Sequence, residues 1–193
     1  KLRKDEESTC PFQFVEIDVT KMGDCDSWNR VIKDIDFVRL ETTDSCIIDN
    51  IRAIALSHDR IALVSQKNRT FIFDNNGKLI RNISNRGKGA FELIRPIDVC
   101  ISMAGRIYIL DSGKIIEYDK NGVPLAEIYL GDNSIETGMT TNFYVYKTDE
   151  IFTWHNAIPT NIPNKRFHLL LRDNNGSVKS QYIKYQHFSF DTF

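Results

Sequence analysis

The sequence predicts an all-β protein of the β-propeller class, and two observations favour this fold. A motif of Asp, a polar residue, Asn and Gly recurs with its aspartates at 74, 119 and 173, which are 45 and 54 residues apart. Each copy lies between two apolar runs, as in a β-hairpin, and two further apolar runs precede it. Four strands per repeat at this spacing is typical of propeller blades.

The repeats assign each predicted strand in order. First strands are predicted at 51–56, 96–101 and 142–147, and second strands at 60–65, 106–111 and 150–155. Third and fourth strands flank hairpin turns, with positive φ expected at both central residues. These turns are predicted at Asn76-Gly77, Asn121-Gly122 and Asn175-Gly176. Blades are therefore expected near 51–84, 96–130 and 142–185. Successive apolar residues, as in "RIYIL", predict strands covered on both faces. A β-sandwich is the alternative, but it does not predict a recurring turn motif.

The ends of the chain predict an incomplete propeller. Residues 1–30 are interpreted as an N-terminal extension and 31–193 as the partial propeller. The segment "VIKDIDFVRLET" at 31–42 has a strand composition without a hairpin partner, and such a leading strand commonly completes the last blade of a ring. "HFSFDTF" at 187–193 resembles the first strand of a fourth blade. Because a ring needs at least about four blades, we expect a longer protein, and we expect this fragment to self-associate through exposed blade edges.

Composition and charge argue against several functions. Lys and Arg total 25 against 26 Asp and Glu, so there is no large field of one sign to bind nucleic acid or anionic lipid. No run reaches the roughly 18–20 apolar residues of a membrane-spanning helix. The cysteines and histidines fit no zinc spacing, so neither metal nor cofactor is predicted. Cys100 is expected to be buried, while a disulfide between Cys10 and Cys25 stays open.

Two stretches carry a family resemblance. The leading "FVRLETTD" and the pairing of "FDNNGK" with "RGKGAFE" resemble the six-bladed β-propeller lipoproteins common in Bacteroidota, relatives of NHL-repeat and TolB-like propellers. The resemblance covers residues 12–193, although family members more often have Gly-Pro-Gly-Glu at the positions of Gly89-Ala90-Phe91-Glu92. It implies an envelope location (periplasmic or outer-membrane), a lost N-terminal lipid anchor as the one link to the membrane, and roughly twice this length. It implies no reaction.

Long loops are predicted to gather at one end of the sheets. Connections at 85–95, 131–141 and 156–166 lie opposite the short hairpin turns. Because binding usually resides on long loops of a rigid scaffold, this end is the candidate functional face. The residues predicted to border a ligand are Arg86, Lys88, Arg95, Trp154 and His155. Basic groups favour a carboxylate or sulfate, and an aromatic platform favours an acidic sugar or a peptide terminus.

Each of these residues also has a structural interpretation. The loop from Arg86 to Glu92 joins an outer strand to the next inner strand, with Glu92 bonding loop amides and Arg86 pairing between blades. A phosphate cradle is disfavoured because a strand rather than a helix follows. Trp154 lies on a predicted buried strand, where a core position is the ordinary expectation.

The sequence therefore favours a non-catalytic binding or scaffold module of unknown ligand. No Ser-His-Asp order, His-Glu-x-x-His motif or paired carboxylates stand out. The alternative is a hydrolase or lyase resembling metal-dependent propellers, which hold one divalent ion at the channel mouth.

Overall fold

The computed structural model describes residues 35–83, 85–131, 139–147, 149–156 and 167–184. The chain divides into two compact units, Lys1–Phe37 and Val38–Phe193, and the strands lie in the second. In chain order the described strands are β1 Ile51–Leu56, β2 Arg60–Ser65, β3 Thr70–Asp74, β4 Leu79–Ile83, β5 Asp98–Ile101, β6 Ile107–Asp111, β7 Lys114–Tyr118, β8 Pro124–Tyr129, β9 Met139–Lys147, β10 Glu150–Asn156, β11 Phe167–Arg172 and β12 Val178–Lys184.

These strands form three four-stranded antiparallel sheets. The first sheet holds β1 to β4, the second β5 to β8 and the third β9 to β12, each as a meander in chain order. Within the described ranges no helix occurs, which confirms the predicted all-β class and the four strands per repeat. No described segment forms a helix with the length and apolar character needed to cross a bilayer.

The sheets pack face to face in chain order, which gives a propeller-like arrangement. Their inner strands are neighbours: Arg52 Nη1 donates to Pro96 O at 2.7 Å, and Phe143 N donates to Asp98 Oδ2 at 3.1 Å. These contacts align the same end of all three sheets, near Arg52 of β1, Asp98 of β5 and Phe143 of β9. One core, with Val64 and Ile109, lies between the first and second sheets, and another, with Leu110 and Ile151, lies between the second and third.

Strands in the middle of the sheets are buried along their whole length. Strands β6 and β7 are buried at every position, and β2 at every position after Arg60. This burial confirms the prediction made from their uninterrupted apolar residues. Each fully buried Leu or Ile side chain contributes about 1.5–3 kcal/mol relative to exposure, so these strands hold most of the stabilising apolar surface.

The hairpin turns lie where predicted but have a different backbone conformation. Gly77 has a φ of 81°, whereas Asn76 is not among the described residues with positive φ, so the prediction of positive φ at both was wrong. Asp74 N donates to Lys78 O and Gly77 N donates to Asp74 O, which closes a three-residue loop followed by a register shift. A type I turn with a left-handed glycine has this pattern.

An aspartate carboxylate explains the longer loop. Asp74 Oδ1 accepts from Asn76 N at 2.9 Å and from Lys78 N at 2.8 Å, and a tight two-residue turn would not present both amides to it. The aspartates of the other two turns, Asp119 and Asp173, accept the same pair of bonds at 2.8–2.9 Å. The recurrence of this aspartate is therefore a property of the scaffold.

The leading segment differs from its prediction as a strand. Residues 38–42 belong to no strand, although Glu41 N donates to Gly77 O at 2.7 Å and Leu79 N donates to Glu41 Oε2 at 3.0 Å. These bonds join the segment to a turn rather than to a ladder. Leu40 and Ile48 pack with Cys46 on the face of the first sheet that is turned away from the second. Described residues between Leu40 and Ile48 therefore cover this sheet instead of extending one.

Candidate functional site

The loop between β4 and β5 lies at the aligned end of the sheets, immediately before Asp98. Its two limbs pair with each other: Leu93 N donates to Asn85 O at 2.8 Å, and Gly87 N donates to Leu93 O at 3.3 Å. Leu93 is buried in the core between the first two sheets. The loop is therefore anchored at its base by one apolar side chain and two backbone bonds.

The glycines of this loop leave room for a carboxylate beneath the backbone. Glu92 Oε2 accepts from Gly89 N at 2.8 Å, as predicted for a residue that bonds loop amides. Gly87 has a φ of 157°, and a Cβ there would overlap the Glu92 carboxylate. The Gly-Lys-Gly stretch thus closes over an acidic side chain of its own loop, and the bond from the Gly89 amide holds that side chain in place.

A second carboxylate, on β8, holds the tip of the loop. Glu127 Oε1 accepts from Phe91 N at 2.8 Å and from Lys114 Nζ at 2.6 Å, while Tyr129 OH donates to Glu127 Oε2 at 2.7 Å. Burial alone raises the pKa of Glu127, but hydrogen bonds from Lys114, Tyr129 and the Phe91 amide outweigh it and hold the pKa below its usual value. Phe91 has a φ of 58°, which few non-glycine residues adopt.

A third carboxylate holds the end of the loop. Asp111, the last residue of β6, is fully buried and accepts from Ile94 N at 2.8 Å and from Arg95 N at 2.5 Å. Three acidic side chains from different positions thus bond the backbone of one loop. Such a loop presents its exposed side chains in a fixed arrangement.

The three basic residues predicted for the site are exposed on this loop. Arg86 donates through Nη2 to Lys67 O in the turn between β2 and β3. That bond stays within the first sheet, so the predicted pairing of Arg86 between blades was wrong. Within the part of the chain that the structure describes, Arg86, Lys88 and Arg95 form no ion pair, because the nearby carboxylates bond backbone amides or Lys114 instead.

Trp154 and His155 lie near the same end, on β10, but point to opposite faces of the third sheet. Trp154 is 40% exposed on the face turned away from the second sheet, while His155 is 3% exposed on the face toward it. The His155 ring contacts Thr140 Oγ1 at 3.3 Å and Thr153 Oγ1 at 2.9 Å. The predicted aromatic pair is therefore divided between a surface and an interior.

A buried arginine continues this interior polar set. Arg172 Nε donates to Thr153 Oγ1 at 3.2 Å, and its Nη1 donates to Gly176 O at 2.7 Å. Burial lowers the pKa of Arg172. Sequence reasoning did not predict this chain of polar contacts from Gly176 to His155.

Two further observations concern metal-binding groups and cysteines. These residues contain no group of three or more His, Cys, Asp or Glu side chains placed to hold a metal ion. Cys46 and Cys100 are buried free thiols, and burial raises the pKa of both. Cys10 and Cys25 lie outside the described residues.

Sequence reasoning found the loop and Glu92 but missed the two other carboxylates that fix the loop. Asp111, Lys114 and Glu127 were not singled out, although each is a charged residue within a predicted strand. A charge on a strand that is otherwise apolar on both faces indicates a buried pair, and "GKIIEY" and "AEIY" carry that signal.

Comparisons with known proteins identify a family and a fold. A family model described as Domain of unknown function (DUF4934) matches residues 14–192. An exported protein from Bacteroides fragilis has a similar structure, with a TM-score of 0.63 and 16% identity over 79% of this chain and 43% of that one. At this identity the likeness shows the fold alone. None of the curated proteins matches the chain.

Two further solved structures are more distant. A protein of unknown function from Bacteroides caccae has a TM-score of 0.48 and 11% identity over 70% of this chain and 46% of that one. The extracellular domain of a one component system from B. thetaiotaomicron has a TM-score of 0.46 and 14% identity over 75% of this chain and 18% of that one. The chain thus spans less than half the length of all three proteins.

Proposed function

We propose that this chain, which belongs to the family described as Domain of unknown function (DUF4934), is part of a non-catalytic binding module of the bacterial cell envelope. Its ligand contacts the long-loop end of the sheets. The exported B. fragilis protein of similar fold supports the envelope location. An N-terminal lipid anchor, as in the lipoproteins that the sequence resembles, holds the module at the membrane.

The three sheets are, in this proposal, half of a six-bladed propeller. Two features support this: the sheets stack in chain order through their inner strands, and the chain spans 43% of the exported B. fragilis protein. In such a ring the leading segment lies against the first sheet where an outer strand of a neighbouring sheet would lie. The turn glycines support that position, because Gly77 abuts Arg39 of the leading segment while Gly122 and Gly176 abut β4 and β8.

The proposed binding function rests on one observation. Three carboxylates fix the loop, and its basic side chains have no carboxylate partner among the described residues. Arg86, Lys88 and Arg95 project from a backbone bonded to Glu92, Glu127 and Asp111. Because the loop is already ordered, a ligand would not have to order it on binding. Exposed arginines on such a support favour an anionic ligand.

The ligand class follows from these groups. Arginine bonds a carboxylate or sulfate through two parallel N–H groups, so an acidic sugar or a peptide carboxyl terminus fits the loop. Trp154 adds an exposed aromatic surface near the same end, while buried His155 supports the start of β9 through Thr140.

The test is anionic-ligand binding by the full-length protein on glycan and peptide arrays. Arg86→Ala with Lys88→Ala is expected to weaken binding at least about tenfold, the loss of one to two charge-assisted bonds. The melting temperature should change little, because both side chains are exposed and the one bond that is lost, from Arg86 to Lys67 O, lies at the surface. Binding should also weaken as salt rises.

The matched control removes two lysines from the opposite end. Lys78→Ala with Lys120→Ala changes the net charge equally, and both residues are exposed in the short turns. An equal loss of binding affinity in both variants would mean that only the net charge matters. Unchanged binding in the Arg86→Ala, Lys88→Ala variant would mean that the loop has a purely structural role.

A further inference from the structure

A concave site lies at the short-turn end of the second and third sheets, opposite the loop between β4 and β5 that carries Arg86, Lys88 and Arg95 (the basic loop). A cavity of about 260 Å³ opens between the turn that joins β5 to β6 and the end of β9. Its lining residues are Ser102, Met103, Ala104, Arg106, Tyr108, Tyr146 and Lys147. This volume lies below the roughly 300–1,000 Å³ of pockets for drug-sized molecules, so it suits a compact ligand.

The cavity exists because the second repeat departs from the first. Arg60, at the start of β2, donates through Nε to Lys120 O at 2.8 Å and so bridges the first sheet to a turn of the second. Arg106 precedes β6 at the matching position of its own repeat. It bonds Glu117 within the second sheet instead and leaves the cleft toward the third sheet open.

Two core positions differ between the first and second repeats at this point. Counted back from the turn aspartates Asp74 and Asp119, Glu117 takes the place of Ile72. Counted from the two arginines, Tyr108 takes the place of Ala62. Glu117 is buried and accepts from Tyr108 OH at 3.2 Å as well as from Arg106. A buried carboxylate requires a cation, and this pairing holds Arg106 at the cavity wall.

Arg106 keeps one edge available for a ligand. Its described bond uses Nη1, which leaves the edge of Nε and Nη2 to form two parallel bonds with a planar anion. Lys147 supplies a second positive charge: its Nζ lies 5.1 Å from the centre of the Tyr146 ring and 3.6 Å from Glu150.

The remaining walls are apolar and accessible. Met103 is 94% exposed at the rim, and Tyr146 is half-exposed. Met103 and Tyr146 both line the cavity, and a thioether and an aromatic ring favour contact with a flat, polarisable group.

We propose that this cavity binds a compact aromatic carboxylate, with the carboxylate on Arg106 and Lys147 and the ring between Met103 and Tyr146. The site is separate from the basic loop and does not depend on it. It gives the module a small-molecule site at the end opposite the loop that is proposed to bind an acidic sugar or a peptide carboxyl terminus.

The test is calorimetric titration of the full-length protein with 4-hydroxybenzoate and with its uncharged analogue, 4-hydroxybenzamide. We expect the carboxylate to bind at least about tenfold more tightly than the amide, because the amide lacks the charge that Arg106 pairs with. Equal binding of the two probes, or no binding of either at millimolar concentration, would overturn the proposal.

Variants locate the site without breaking the Arg106–Glu117 pair. Ala104→Trp fills the cavity from an exposed position and is expected to abolish binding of 4-hydroxybenzoate. His58→Trp places the same side chain on the matching turn of the first sheet, where Arg60 bridges the gap, and should leave binding unchanged. Retained binding in Ala104→Trp would exclude this cavity. The Arg86→Ala, Lys88→Ala variant should bind the probe normally, which separates this site from the proposed function.

Discussion

Turn glycines show how single residues fix the spacing between sheets. Gly176 has a φ of 82°, and a Cβ there would overlap the carbonyl oxygen of Tyr129 on β8. Gly105 has a similar φ of 76° but nothing within 4 Å of a Cβ. The two positions therefore separate the cost of backbone conformation from the cost of a steric clash.

We expect Gly176→Ala to destabilise the protein clearly more than Gly105→Ala. The control, Gly105→Ala, should lower the free energy of unfolding by about 1–2 kcal/mol, the cost of placing an alanine in the left-handed conformation. Gly176→Ala carries that cost and must also displace the backbone of β8. Denaturant unfolding of both variants measures the difference, and equal losses would mean that β8 does not pack on this turn.

Glu127 makes stability depend on acid pH. A carboxyl with a lowered folded pKa stabilises the protein above its unfolded pKa, and the contribution is lost as pH falls through the folded value. The hydrogen bonds that lower the pKa of Glu127 come from Lys114, Tyr129 and Phe91. Glu127→Gln is therefore expected to cost roughly 3 kcal/mol at neutral pH, as for a broken buried pair.

The stability difference between wild type and Glu127→Gln should shrink from about pH 5 to pH 3, below the usual glutamate pKa. Thermal unfolding across this range measures it. Glu150→Gln is the control, because its 3.6 Å pair with Lys147 is longer and more exposed than the pair of Glu127 with Lys114 and should contribute less than about 1 kcal/mol. A constant difference across the range would contradict a lowered pKa at Glu127.

At the scale of an element, each hairpin depends on its aspartate more than on its asparagine. Asp173 accepts from the amides of Asn175 and Ser177 at 2.9 Å, whereas Asn175 does not adopt positive φ. We expect Asp173→Ala to cost about 1–3 kcal/mol for two hydrogen bonds. Asn175→Ala should cost within about 0.5 kcal/mol. If chemical denaturation showed a larger loss of stability for Asn175→Ala than for Asp173→Ala, the result would support the tight two-residue turn that the sequence predicts.

Strand positions could be predicted from the sequence because their causes are local. Uninterrupted apolar runs such as "RIYIL" identified β6, and a repeated turn motif placed each hairpin. The turn conformation was mistaken because Asn-Gly favours a two-residue turn, while the aspartate two residues earlier favours a longer one. The aspartate therefore determines the conformation of the turn more strongly than the Asn-Gly pair of the same motif does.

The carboxylates that fix the loop of the candidate site mostly come from residues that are distant from it in the sequence. Phe91 bonds a carboxylate 36 residues later, and Ile94 bonds one 17 residues later. Glu92 could be predicted because its partner, Gly89, is three residues away. Trp154 and His155 were predicted to act together because they precede the same long loop. Successive residues of a strand point to opposite faces of the sheet, and this alternation separates them.

At the scale of the whole molecule, each sheet has a face that needs a cover. Cores lie between successive sheets, and Leu40 and Ile48 cover the first sheet on its other side. The third sheet turns Tyr144, Trp154 and Tyr182 outward, half-exposed. Cross-strand pairing places Phe152 and Leu171 on the same face. The described residues thus leave this aromatic face open.

We expect the 193-residue chain to self-associate through the aromatic face of its third sheet. Contiguous exposed apolar surface favours association, and burying a second copy against it would remove that surface from water. Sedimentation velocity at increasing concentration should show dimers or larger species, and Trp154→Asp should shift the distribution toward monomer. Leu125→Asp, a similarly exposed position on β8, is the control and should not. A stable monomer at high concentration, or an equal shift toward monomer in Leu125→Asp, would contradict association through this face.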